Sequence, residues 1–114
     1  MSTTTEFIEY ASSQAAGCGQ VRYKKMFGEY MVYVDEKPIL LVCDNTVYVK
    51  MLTCIEALMT DADRGCPYQG AKEHYILDMD YRELAHAVIK ELVAMTPLPK
   101  PRKKKQKKEE GRTP

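Results

Sequence analysis

The chain predicts an α+β domain, an antiparallel sheet of about five strands with N- and C-terminal helices and a short middle helix, in the order α-β(3)-α-β(2)-α or close to it. Three observations carry this. Tyr30, Val32 and Val34 alternate with Met31, Tyr33 and Asp35, and a period of two places the two sets on opposite faces of a strand. Apolar residues instead recur at three and four positions near both ends of the chain, the spacing of an amphipathic helix. Short polar breaks at Asp35-Glu36-Lys37-Pro38 and Asp44-Asn45 are of hairpin length.

Taken in order, Thr3-Thr4-Thr5-Glu6 has the form of a capping box, with Thr3 as the cap and Glu6 reaching back. The helix it opens carries Phe7, Ile8, Ala11 and Ala15 on one face, and Gly17 is placed to end it in a left-handed conformation. Val21 to Phe27 alternates weakly and reads as a first strand ending at Gly28. The hairpin strand from Glu29 follows, and then Ile39-Leu40-Leu41-Val42-Cys43, whose unbroken apolar run reads as a central strand covered on both faces. Thr46-Val47-Tyr48-Val49-Lys50 is β-branched and aromatic and completes a meander.

Beyond Lys50 the period changes. Cys54, Ile55, Leu58 and Met59 fit a short helix across Leu52 to Thr60, which breaks in Asp61 to Pro67. Tyr75 to Met79 resumes a strand, with Tyr68 as the start of a shorter one. Asp80 reads as an N-cap with Glu83 three residues on. Tyr81, Leu84, Ala85, Val88, Leu92 and Met95 then form the apolar stripe of a final helix, which Thr96-Pro97 ends because the residue before proline is turned away from helical geometry.

The strand-and-turn pattern also carries a resemblance. Met26-Phe27-Gly28, Tyr33-Val34-Asp35, and Leu41-Val42-Cys43-Asp44-Asn45 leading into Val47-Tyr48-Val49-Lys50 resemble the N-terminal domain of the TfoX/Sxy family, bacterial proteins named for regulating natural DNA transformation. The signature residues are Met26, Phe27, Gly28, Tyr33, Asp35, Tyr48 and Lys50. Glu29, Met31 and Glu36 stand where glycine is common in that pattern. The likeness covers roughly residues 20 to 96 and implies the same α+β fold, a regulatory role, and no catalytic residue. Larger members of that family carry a second, C-terminal domain, and the likeness here is to the N-terminal one.

At 114 residues the chain is the size of one domain. No apolar run approaches the ~18 residues that span a bilayer, and Met1 to Glu6 lacks the form of a signal peptide, so the expectation is a cytoplasmic protein without a membrane partner. Cys18, Cys43, Cys54 and Cys66 contain no Cys-x-x-Cys pair, which favours reduced thiols over a metal or redox motif. Cys43, inside an apolar strand, reads as a small hydrophobe. Cys54, Cys66, His74 and His86 match no zinc spacing, and no cofactor is implied.

The net charge of +1 conceals a division. Residues 97–114, a basic tail expected to be disordered, hold eight Lys and Arg against two Glu, whereas residues 1–96, the folded domain, hold nine basic and fourteen acidic side chains. Lys100, Arg102, Lys103, Lys104, Lys105, Lys107 and Lys108 are candidate nucleic-acid contacts, because clustered cations neutralise phosphates and release counterions. Without an aromatic or a defined fold the tail would bind without sequence preference, and a solvated, solubilising run is the plainer reading.

The domain offers weaker candidates. Tyr23, Tyr30, Tyr33 and Tyr48 could form a stacking platform as in single-strand RNA binders, although sheet tyrosines are more often core and the acidic domain would repel a polyanion. In the Cys66–Asp80 region, Cys66 as nucleophile with His74 and Asp78 or Asp80 would serve an enzyme or small-molecule-binding module; surface histidines and loop carboxylates are the simpler account. Asp61, Asp63, Glu73, Asp78 and Asp80 lack calcium-loop spacing. Met31 and Tyr33, if both face solvent, make an adaptable apolar patch suited to a protein partner or a homodimer. The favoured expectation is thus a small non-enzymatic domain acting through protein contacts, linked by resemblance to transcription or DNA transformation.

Overall fold

A computed structural model describes residues 3–26 and 29–97. Phe27, Gly28 and the tail positions from 98 onward, including every candidate nucleic-acid contact, lie outside the described residues. The elements are α1 (Thr5–Ala15), β1 (Val21–Met26), β2 (Glu29–Val34), β3 (Lys37–Cys43), β4 (Thr46–Val49), a 3₁₀ turn (Thr53–Ile55), β5 (Arg64–Gly65), β6 (His74–Ile76) and α2 (Arg82–Met95). All strand pairings are antiparallel, and the sheet runs β1-β2-β3-β4-β6-β5. The α+β class and the two end helices are as expected. Six strands stand where about five were expected, because the weakly patterned β1 forms and Arg64–Gly65 adds a two-residue edge.

Both helices lie on one face. Ile8, Ala11, Val32, Leu40, Val42, Val88, Ile89 and Leu92 are buried in one core, and each large apolar side chain taken from water there contributes about 1.5–3 kcal/mol. The alternation in β2 is clean: Tyr30, Val32 and Val34 are buried, Met31 and Tyr33 half-buried. In β3 the expectation of two covered faces holds only in part: the neighbours Val42 and Cys43 are both buried, but Leu41 is not. Val32 pairs with Leu40 and Tyr33 with Pro38, so Ile39 is the extra residue of a β-bulge. The bulge lets Ile39 and Leu40 both bury, which explains the apolar run, while Leu41 is only half-buried.

Both hairpin turns use two residues in the left-handed region, Asp35 (φ 52) with Glu36 (φ 66) and Asp44 (φ 50) with Asn45 (φ 55). Two consecutive positive φ values match the right-handed twist of the flanking strands. Gly17 leaves α1 at φ 99, as its position predicted.

Helix starts differ from expectation. Thr4, not Thr3, caps α1, its Oγ1 accepting from Phe7 N–H at 3.1 Å. Thr3 is buried and its hydroxyl donates to Glu29 Oε1 at 2.7 Å. Tertiary contacts choose among three consecutive threonines: Asn45 Oδ1 accepts from Thr4 N–H at 2.9 Å, and Asp44 N–H donates to the same Glu29 oxygen at 3.0 Å. Asp80 does not cap α2. Its carboxylate is taken by the Tyr10 hydroxyl, and Tyr81 stands at the cap without a side-chain bond. Tyr81 and Met95, expected in the buried stripe, are exposed, whereas Ile89 is fully buried. Thr96 ends α2 in extended geometry.

The segment expected as a middle helix is a single 3₁₀ turn followed by further turns through Asp61. Ile55 and Met59 bury, and Leu58 does not. The strand expected over Tyr75 to Met79 shortens to His74–Ile76. Leu77 and Met79 bury outside it, and Tyr68 is an exposed loop residue, not a strand start.

Candidate functional site

Among the described residues, no helix covers the face of the sheet opposite α1 and α2. Strand parity and register place Met31 and Tyr33 of β2 there with Leu41 of β3, Tyr48 of β4 and Ile76 of β6. All five are half-buried, so they form a continuous apolar strip across the sheet. Arg22 and Lys24, paired with Tyr33 and Met31, are exposed at its β1 end.

The strip has local order. The Arg22 guanidinium lies 4.3 Å from the centre of the Tyr33 ring, a cation–π arrangement, and forks onto the Glu36 carboxylate at 2.9–3.2 Å. That bond and charge raise the Arg22 guanidinium and lower Glu36 from their ordinary values. At the other end Tyr48 meets the His74 ring edge-on at 6.4 Å. Burial pushes the Tyr48 phenol up, with Cys43 and Asp44 adding to it. Burial likewise pushes the Cys43 thiol up to about 11, as fits a cysteine acting as a small hydrophobe.

The signature residues separate into two roles. Tyr33 and Tyr48 lie on the open strip. Asp35 is structural: its Oδ1 accepts from Gln20 N–H at 2.8 Å, closing the β1–β2 end of the sheet. Met26 ends β1 half-buried, and Lys50 is exposed just after β4. Of the four tyrosines considered as a platform, Tyr30 faces the core and is buried. Tyr23 packs edge-on against it at 5.5 Å. The platform is therefore split between two faces, which leaves Tyr33 and Tyr48 alone on the open one.

Among the described residues no side-chain hydrogen bond links Cys66, His74 and Asp78 or Asp80 into a triad. His74 Nδ1 is 2.7 Å from the Lys72 carbonyl, Asp78 accepts from the Asp80 N–H at 3.0 Å, and Asp80 is held by Tyr10. That contact raises the Tyr10 phenol. Cys66 is exposed. His86 bridges the helices instead, its Nε2 lying 2.8 Å from the Gln14 carbonyl. Among the described residues no three His, Cys, Asp or Glu side chains come together as a metal site, so Cys54, Cys66, His74 and His86 are not gathered. No helix among them is long and apolar enough to cross a membrane.

A cleft of about 730 Å³ opens between α1, the 57–63 segment and the chain leading into α2. Phe7, Leu58, Tyr81 and Leu84 give it apolar walls, and Asp61, Asp63, Asp78 and Asp80 its carboxylates. Sequence reasoning treated these four aspartates as unconnected loop and cap residues. Nothing in their spacing signals that β6 brings the 61–63 and 78–80 segments together. Leu41 and Ile76 were likewise missed as surface residues, because the bulge in β3 and the brevity of β6 obscure their parity.

Comparison with known proteins agrees with the signature. An uncharacterized 12.7 kDa protein encoded in the trpE 5' region of Spirochaeta aurantia is 34% identical over 109 residues, covering 94% of this chain and 95% of that one. The TfoX N-terminal domain matches residues 13–99, from the second half of α1 to just beyond α2, and the chain belongs to that family.

Proposed function

We propose that the protein is a non-enzymatic TfoX-like adapter or regulator, cytoplasmic, which engages a protein partner through the open face of its sheet. A link to transcription or DNA transformation comes from the family. The observation that carries the reading is the strip Met31, Tyr33, Leu41, Tyr48 and Ile76, apolar and half-exposed on a rigid sheet. Aromatic and Met side chains beside Arg are the composition of interface centres. His74 bonds to the Lys72 carbonyl and not to Asp78 or Asp80, so Cys66 has no base oriented by a carboxylate, which supports a binding role over catalysis.

A photo-crosslinking amino acid placed at Tyr33, and separately at Glu91 on the exposed side of α2, tests this in native cytoplasm. Crosslinks to a defined protein, such as RNA polymerase, a transcription factor or a second copy, are expected from position 33 and lost on Met31→Glu. Equal crosslinking from both positions, or none from position 33, overturns the proposal.

A further inference from the structure

The acidic cleft and the basic tail belong to one chain, and we infer that they bind each other: residues 100–108 fold back into the cleft between α1 and the 57–63 segment. The cleft is lined by Asp61, Asp63, Asp78 and Asp80, with no Lys, Arg or His among its described lining residues. Asp78 and Asp80 each take one donor from their surroundings. The carboxylates of Asp61 and Asp63 have no hydrogen bond or ion pair with any other described residue. Four carboxylates line one cleft, none of them paired with a cation among the described residues, and such a cleft favours a polycation. The apolar floor is open to long side chains, since Leu58 and Tyr81 are 37% and 57% exposed, and the methylene stems of Lys and Arg cover such surface while their heads stay at the carboxylates.

Length permits the return. Leu84 lines the cleft at the near end of α2 and Thr96 is twelve residues on, about 18 Å at 1.5 Å per residue. An extended chain covers about 3.3 Å per residue, so about six residues beyond Pro97 reach back, which brings Lys103, Lys104 and Lys105 to the carboxylates. A tether this short holds the two at about millimolar effective concentration, well above what a free polycation supplies. Charge also selects the cleft over the open sheet face, where Arg22 and Lys24 repel the tail. Docking would hold these cations out of reach of nucleic acid.

The test uses the full ¹⁵N-labelled chain, wild type against a variant with Lys103, Lys104, Lys105, Lys107 and Lys108 all changed to Gln. At about 20 mM salt the amides of Asp61, Asp63 and Tyr81 should differ between the two proteins while those of Lys24 and Lys50 coincide. The difference should fall by more than half at about 0.5 M salt, where the screening length is below about 8 Å, and should not change on tenfold dilution. In the Asp61→Asn/Asp63→Asn protein the tail substitutions should shift Tyr81 less than half as far. Coincident spectra at low salt overturn the inference, as do differences spread evenly over the surface. A difference that disappears on dilution also overturns it, since the tail would then occupy a second copy.

Discussion

Asn45 joins three parts of the fold, and its replacement separates two energies that coincide there. Its backbone sits at φ 55, and its side-chain oxygen accepts from Thr4 N–H at 2.9 Å, holding the start of α1 against the β3–β4 turn. An exposed hydrogen bond of this kind contributes about 0.5–1.5 kcal/mol. A left-handed conformation costs a residue bearing Cβ about 1–2 kcal/mol, and Asn less, because its side chain bonds locally. Asn45→Ala loses the bond and gains the strain, for about 2 kcal/mol in all. Asn45→Gly loses the bond but relieves the backbone, for about 1 kcal/mol. Asn45→Asp keeps an acceptor and should stay within about 0.5 kcal/mol of wild type. At about 4–8 °C per kcal/mol for a domain of this size, Tm should fall by about 8–16 °C for Ala and about half that for Gly. Urea unfolding followed by far-ultraviolet circular dichroism gives the same order if the slope is unchanged. Equal losses for Ala and Gly would refute the backbone contribution, and a wild-type Gly variant would refute the latch.

Further outcomes follow from the same geometry. Under native conditions an alkylating reagent at pH 8 should label Cys66 first and Cys43 last, because a thiol pushed from 9.0 to about 11 holds about a hundredfold less thiolate; matching rates for the two would refute the burial argument. The folded state keeps the Cys43 proton above the value at which the unfolded chain releases it, so this stabilisation is complete below pH 9 and lost as pH rises through about 11. The penalty of Cys43→Ala, measured by urea unfolding, should therefore shrink over that interval, and a constant penalty would count against it. Gly19→Ala should cost about 3 kcal/mol, since its Cβ would lie 2.7 Å from Asp35 Oδ1 at φ 152; a loss under about 1 kcal/mol would mean the Asp35 carboxylate moves freely. Ile89→Ala should cost about 2–5 kcal/mol and Met95→Ala less than about 0.5 kcal/mol, as thermal melts would show; similar losses would place the helix stripe elsewhere.

How much of this was legible in the sequence depends on whether local or distant atoms decide. Period-two alternation separated Tyr30, Val32 and Val34 from Met31 and Tyr33 without tertiary knowledge, and the proline at 97 ended α2. Ile39 and Leu40 misled because a bulge and a doubly covered strand both write an unbroken apolar run. Caps failed for a different reason. Thr3 and Asp80 are good local caps, but each has a stronger partner more than twenty residues away, Glu29 and Tyr10. Ile55 to Met59 carries helical spacing, yet burying two side chains under α2 requires only turns. The open strip was half legible: Met31 and Tyr33 follow from parity, whereas Leu41 and Ile76 need the register across four strands.

The three positions where glycine is common in the family pattern show what this chain does with that freedom. Glu29 accepts from Thr3 and from the Asp44 backbone, so it adds to the Asn45 latch that a glycine could not provide. Met31 fills the open face next to Leu41, turning a bare stretch of strand into apolar contact area. Glu36 takes a left-handed conformation at φ 66, unfavourable for a residue with Cβ, and its carboxylate receives the fork from Arg22. That fork holds the guanidinium over Tyr33. Two of the three replacements, Met31 and Glu36, thus shape the same face, one by adding surface and the other by fixing the cation at its rim. Neither is needed to close the hairpin, which glycine would do with less strain. Glu36→Gly therefore divides the structural from the functional reading: it should leave the fold intact while releasing Arg22 from the rim, and partner crosslinking from position 33 should weaken.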